Sequence, residues 1–263
     1  MHRRAPVGQA RGAAVDASVV AAPAAAVTCY PRRVTLRAIL FDLDGTLVDS
    51  EADYAEAIAR CVDRAFAIAL TADDRAYGTG RSWVAIHAYL RDRYPQLSWD
   101  RDALIAATAA ESRALFAERG ITVLPGARAA VARFAGFARG LVTGSSRAEA
   151  GHMLGLLGLA DAFAVRLCAE DVPRSKPAPD GYLAACARLG VAPGEALVIE
   201  DSAAGCAAGR AAGCAVVAVR AGNRGGQDQG AAHVVVDTLD AITIELAREV
   251  ARSVAPGYGA PTA

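Results

Sequence analysis

The sequence predicts an α/β chain: a parallel sheet flanked by helices, with a block of helices inserted after the first strand. Three observations carry this. Short apolar runs alternate with helical patterns over the second half of the chain. The run Thr35 to Phe41 is continuously apolar near its end, which suits a strand buried on both faces. No strand candidate then interrupts the Ala-rich helical spacing before Ile121.

The elements follow in order. Helical segments are predicted at about 51 to 69, 81 to 93 and 101 to 118. In the first, Ala55, Ile58, Ala59, Val62, Phe66 and Ile68 share one face. After Pro125 and Gly126, a helix over 127 to 137 leads to a strand from Gly140 to Thr143. A helix at 147 to 157 precedes a strand at 163 to 168. A helix over 180 to 189 precedes a strand from Ala196 to Ile199. A helix over 203 to 212, stopped by Gly213, feeds a strand at 214 to 219. Val234 to Val236 is a last edge strand. Such alternation means right-handed βαβ units. The domains expected are a core of residues 35–47 and 122–250, a helical insert of 48–121, a disordered tail of 1–34 and a flexible tail of 251–263. A signal or transit peptide is the other reading of the first 34 residues, since Arg3, Arg4 and Arg11 precede an apolar patch.

Composition narrows the function. The 263 residues are 54% hydrophobic, enough for one sizeable domain plus a smaller insert. The 28 basic and 28 acidic residues balance, with no charged block, so neither nucleic acid nor a membrane surface is an expected partner. The longest uncharged N-terminal stretch, Ala17 to Pro31, is too short and proline-broken to span a bilayer. The six cysteines, at 29, 61, 168, 186, 206 and 214, form no CxxC or zinc pattern; free thiols in a reducing cytoplasm are expected.

Active sites of open parallel sheets gather outside the carboxyl ends of the strands. Four such ends here carry polar groups. Asp42 and Asp44 lie two apart, so both face one side of an extended chain, and Gly45 lets the backbone turn away. Thr143, Gly144 and Ser145 offer a hydroxyl and amides suited to a phosphate, or simply a helix-starting loop. Lys176 is the one lysine in a chain whose other 27 basic residues are arginines. A compact ammonium suits a tight site between carboxylates where a guanidinium fork does not; a solvated surface charge is the alternative. Glu200 and Asp201 follow a buried strand, where unpaired acids are costly, and a divalent cation or a helix N-cap would answer for them.

In order, "FDLDGTLVDSE", "LVTGSS", "SKPAPD" and "VIEDSAAGCAAGRAAG" resemble the four motifs of the haloacid dehalogenase (HAD) superfamily, over residues 36 to about 222. The form of the fourth is similar to the branch of β-phosphoglucomutases and sugar-phosphate phosphatases. The resemblance implies a Rossmann-like α/β core with an inserted α-helical C1 cap. It also implies Asp42 as nucleophile, Asp44 as general acid and base, and Thr143, Gly144, Ser145 and Lys176 as holders of the phosphoryl group. Mg²⁺ would lie on Asp42, Asp44 through its backbone carbonyl, Glu200 and Asp201. Asp44 disfavours dehalogenation, because a halide leaving group needs no proton.

The function expected is a Mg²⁺-dependent phosphatase acting on a small phosphorylated metabolite through an aspartyl phosphate, as a cytoplasmic monomer. A phosphosugar mutase is the alternative, and a catalytically silent binding domain a third reading. The mutase pattern has His where this chain has Tyr54, which favours hydrolysis. Tyr54 and Arg81 are candidate substrate contacts. Trp83, Ile86 and Leu90 are assigned to packing of the cap, and His87 to structure or surface.

Overall fold

The computed structural model describes residues 35–254 except 79, 80 and 82. The tail expected at residues 1–34, and the part of the tail expected at 251–263 that follows residue 254, lie outside the described residues.

Six parallel strands form one sheet: β1 (Ala38–Phe41), β2 (Ala138–Val142), β3 (Val165–Leu167), β4 (Ala196–Glu200), β5 (Ala215–Val219) and β6 (Val234–Val236). Their order is β3-β2-β1-β4-β5-β6. The chain starts at the centre, winds outward to β3, then returns to the other side of β1 as β4. The winding direction therefore reverses between β1 and β4, where open sheets of this kind place their ligand. Phe41 is level with Leu141 on β2 and with Ile199 on β4. Asp42 and Thr143, just beyond β1 and β2, and Glu200, the last residue of β4, thus lie close together at one edge of the sheet.

The continuous apolar runs of β1, β4 and β5 are explained by burial on both faces. Ile39, Phe41, Leu141, Ile199 and Val217 face one apolar cluster, which includes residues of α5 (Ala127–Arg133), α6 (Arg147–Leu157) and α9 (Ile244–Ser253). Leu40, Val142, Val198 and Val216 alternate to the other, which is covered by α7 (Asp180–Leu189) and α8 (Ala203–Ala211).

Between β1 and α5 lie α1 (Glu51–Phe66), α2 (Ala72–Tyr77), α3 (Trp83–Arg93) and α4 (Arg101–Arg119). They enclose their own apolar cluster, with Ile58, Val62, Ile86, Leu90 and Leu104 at its centre and Phe66 edge-on to Trp99. The two chain segments that join this block to the sheet run together. Val48 and Val123 form an antiparallel bridge, the Asp49 N–H donates to the Thr122 carbonyl at 2.8 Å, and the Leu124 N–H donates to the Leu47 carbonyl at 3.1 Å. Asp49, buried at this junction, accepts from the Arg224 guanidinium of the loop after β5.

Several boundaries differ from the sequence reading. α1 ends at Phe66 rather than near 69, because Ala67 takes a left-handed conformation and turns its N–H onto the Asp63 carbonyl. α5 stops at Arg133, not 137. The first and third strands are shorter than expected, at 38–41 and 165–167. α2 was not expected; it is nucleated by a Thr71–Asp74 capping box. α9 was not expected either, and it carries ordered helix through Ser253, past residue 250 where a loose tail is predicted. No helix among the described residues is long and apolar enough to cross a membrane. Cys61, Cys168, Cys186, Cys206 and Cys214 are buried and free.

Candidate active site

The loop after β1 is held from below by Leu43 and Leu47, both fully buried. Gly45 between them has φ +82°, and a Cβ there would stand 2.1 Å from Oδ2 of Asp201. A Cβ on Gly222, after β5, would stand 1.6 Å from the Gly45 carbonyl oxygen. Glycine at both positions lets the loops of β1, β4 and β5 close on one another with no side chain between them. Thr46 then donates its hydroxyl to Oδ1 of Asp201 at 3.2 Å.

Lys176 sits at the centre. Its ammonium donates to Oδ1 of Asp42 at 2.5 Å, to Oε1 of Glu200 at 2.6 Å and to the Val142 carbonyl at 3.0 Å. The same Glu200 oxygen accepts from the Tyr182 hydroxyl at 3.1 Å. The other Glu200 oxygen accepts from the Asp201 N–H, the Ser202 N–H and the Ser202 hydroxyl at 2.9, 3.0 and 2.9 Å. Burial raises the cost of charge on Glu200, but Lys176 and Ser202 prevail and hold it below the usual carboxylate range. The surroundings of Lys176 disfavour a charge, yet Asp42 and Glu200 hold its ammonium charged well past the ordinary range.

One cation does not balance three acids. Burial, with repulsion from Glu200 and Asp44, pushes Asp42 up to about 8 despite Lys176. Burial, with Glu200 and Asp42 nearby, pushes Asp201 up to about 9. Asp42, Glu200 and Asp201 each bring an oxygen into a group spanning no more than 4.8 Å. A buried, all-oxygen cluster short of positive charge fits a hard divalent cation. Asp42 and Asp201 have the freer oxygens for it, since both oxygens of Glu200 already accept hydrogen bonds.

Asp44 is turned the other way. Its carboxylate accepts from Ser50 at 2.6 Å, from Ser145 at 2.5 Å and from Thr143 at 3.3 Å, all through hydroxyls. Thr143 Oγ1 in turn accepts the Ser145 N–H at 3.0 Å. The two acids of the first motif thus occupy different surroundings, one among charges and one among hydroxyls.

Asp44 opens into a cavity of about 400 Å³ between the sheet and the helical block. Gly144, Ser145, Tyr54 and Arg81 are among the residues that line it. Tyr54 is edge-on to Phe116. Burial and the nearby Asp44 and Glu149 carboxylates raise its phenol above the ordinary range. Arg81 lies outside α3 and stacks over the Tyr77 ring at 4.2 Å. Trp83 and Ile86, assigned to packing from the sequence, also face the cavity, whereas Leu90 stays in the helical core. His87 is structural, its Nε2 lying 3.0 Å from the Trp99 carbonyl. Two further residues of the site carry no assigned role in the sequence: Ser50, which lies within the first motif, and Tyr182, which lies in an ordinary apolar helix pattern with nothing to mark it.

A family model described as haloacid dehalogenase-like hydrolase matches residues 36–213. Hexitol phosphatase A of Escherichia coli is 36% identical over 195 residues, covering 70% of this chain and 83% of that protein. N-acetylmuramic acid 6-phosphate phosphatase of Pseudomonas aeruginosa is 32% identical over 213 residues, covering 78% and 92%. Among solved structures, CbbY from Rhodobacter sphaeroides in complex with phosphate shares the fold at a TM-score of 0.71, with 23% identity, covering 81% of this chain and 99% of that one. The site at the strand ends, the inserted helices and the span of the family match lead to one conclusion: the chain belongs to the haloacid dehalogenase-like hydrolases.

Proposed function

We propose that the protein is a phosphatase of small phosphorylated metabolites, a sugar phosphate or similar phosphomonoester, working through an aspartyl phosphate on Asp42. The observation that carries this is the placement of Lys176 on Asp42, with Asp44 held apart among hydroxyls at the mouth of a metabolite-sized cavity. The named relatives act on phosphorylated hexitols and N-acetylmuramic acid 6-phosphate, which supports the substrate class.

In this reading an Asp42 oxygen bonds to phosphorus as the ester P–O bond breaks. Asp44 gives its proton to the leaving oxygen. Asp44 then takes a proton from water as that water bonds to phosphorus, and the acyl phosphate is released as phosphate with Asp42 restored. Thr143 and the Gly144 amide hold the phosphoryl oxygens, joined by the Ser145 amide and Lys176 as these exchange an acceptor, Thr143 Oγ1 and the Val142 carbonyl, for phosphate. Asp42 and Asp201, with the Asp44 backbone carbonyl and the Glu200 charge behind them, would hold Mg²⁺, whose charge offsets that of the phosphoryl oxygens. Residues 48–121 act as the cap that excludes water over a core of 35–47 and 122–250. Tyr54, at the position where the mutase pattern has a His, favours hydrolysis over phosphoryl transfer within a sugar. Buried free thiols fit a cytoplasmic protein.

The test is phosphate release from a panel of phosphorylated metabolites, with and without Mg²⁺, beside Asp42→Asn. Metal-dependent release that the substitution abolishes is the expected result. Equal release from wild type and variant, or none from either, would overturn the reading.

A further inference from the structure

Tyr182 is fully buried on α7, in the same apolar cluster as Val142 and Val198. A phenylalanine would fill that space equally well, so the hydroxyl needs its own account. A buried hydroxyl requires a partner. Here it bonds Oε1 of Glu200, the same oxygen that accepts from the Lys176 ammonium. Its ring centroid lies 5.4 Å from the Lys176 Nζ, within reach of a cation–π contact. The residue before it, Gly181, brings α7 hard against β2: a Cβ there would stand 2.8 Å from Cγ1 of Val142. Val142 carries the third acceptor of the ammonium. Of the donors on Glu200, all but Tyr182 and Lys176 come from the turn that directly follows it. Tyr182 therefore ties Glu200 to a second element and touches Lys176 by two routes.

We infer that Tyr182 is a positioning residue, which fixes the Lys176 ammonium on Asp42 through the Glu200 carboxylate and through its own ring. The inference rests on the reading of Asp42 and Lys176 as the phosphoryl-transfer pair. It distinguishes orientation of the ammonium from mere filling of the core, where the hydroxyl would have no effect on turnover.

The experiment uses the full chain with Mg²⁺ and p-nitrophenyl phosphate, comparing wild type with Tyr182→Phe and Tyr182→Leu. Because Lys176 is the sole lysine, its acetylation by an N-hydroxysuccinimide ester can be followed by peptide mass spectrometry without a competing lysine. Loss of one hydrogen bond to a charged group lowers kcat about tenfold in Tyr182→Phe, with KM within about twofold. Acetylation of Lys176 quickens in Tyr182→Phe and further in Tyr182→Leu, while the buried Cys206 and Cys214 stay unreactive to a thiol reagent. The inference is overturned if Tyr182→Phe leaves both turnover and acetylation at wild-type rates. It is equally overturned if cysteine exposure rises in step with acetylation, since Tyr182 would then only pack the core. Absence of phosphate release from the wild type would count against the proposed function instead, and the acetylation rates would still decide the role of Tyr182.

Discussion

Asp42 and Lys176 meet at 2.5 Å although 134 residues separate them in the chain. The ammonium has three acceptors around it and little room besides, its side chain being 17% exposed. A guanidinium is planar and wider, and cannot sit on all three. Lys176→Arg is expected to keep the charge and still lower kcat by about 100-fold or more, the scale of losing an oxyanion contact. Steady-state kinetics beside a thermal melt will separate this from unfolding.

Without a cation, the acids of the site make stability fall as pH rises. Asp42 and Asp201 are raised from 3.8 to about 8 and about 9, so the folded chain binds more protons than the unfolded one between those limits. The slope of unfolding free energy with pH is then negative, and their contribution, full below the unfolded value, is lost as pH passes the folded values. Thermal melts in a chelator should show Tm falling from acid toward pH 9. Saturating Mg²⁺ should raise Tm, and raise it more at the alkaline end. A Mg²⁺ effect independent of pH would contradict this.

Gly205 lies in the first turn of α8, where alanine ordinarily favours a helix by about 1 kcal/mol. Here a Cβ would stand 1.7 Å from the Glu200 oxygen that receives Lys176 and Tyr182. Gly205→Ala is therefore expected to destabilise by about 1–3 kcal/mol, the scale of an overpacked core, and to lower turnover. Urea denaturation gives the sign directly.

The Arg224–Asp49 pair joins the loop after β5 to the base of the helical block. Asp49 is buried, and its other oxygen, Oδ1, has no hydrogen-bond partner among the described residues. Arg224 is more than half exposed, so solvent screens the pair. Arg224→Ala should cost about 1 kcal/mol in stability. It should also shift kcat and KM together, as changes at a hinge do. Unchanged kinetics with lower stability would mark the pair as structural only.

The site was legible where chemistry interrupts a pattern. Acids at the end of an apolar strand, and one lysine among arginines, stand out from their surroundings. The sheet was legible because strands buried on both faces leave continuous apolar runs. α2 has no periodic signature because six residues are too few to show one; its signal is the capping box. α1 was overrun because Ala67 ends it without a glycine. Tyr182 and the cavity-facing side of Trp83 were beyond reach for another reason. Each looks like any core residue until long-range contacts say what it faces.

Val48 and Val123 bridge where the helical block leaves and rejoins the sheet. Entry and exit are thus neighbours, whatever lies between them. A segment inserted this way can lengthen, shorten or be replaced while the six-stranded sheet and its row of acids keep their register. Under the proposed function, a different helical segment grafted at this bridge is expected to change selectivity while Asp42, Lys176, Glu200 and Asp201 stay in place, provided the Ser50 contact to Asp44 is kept.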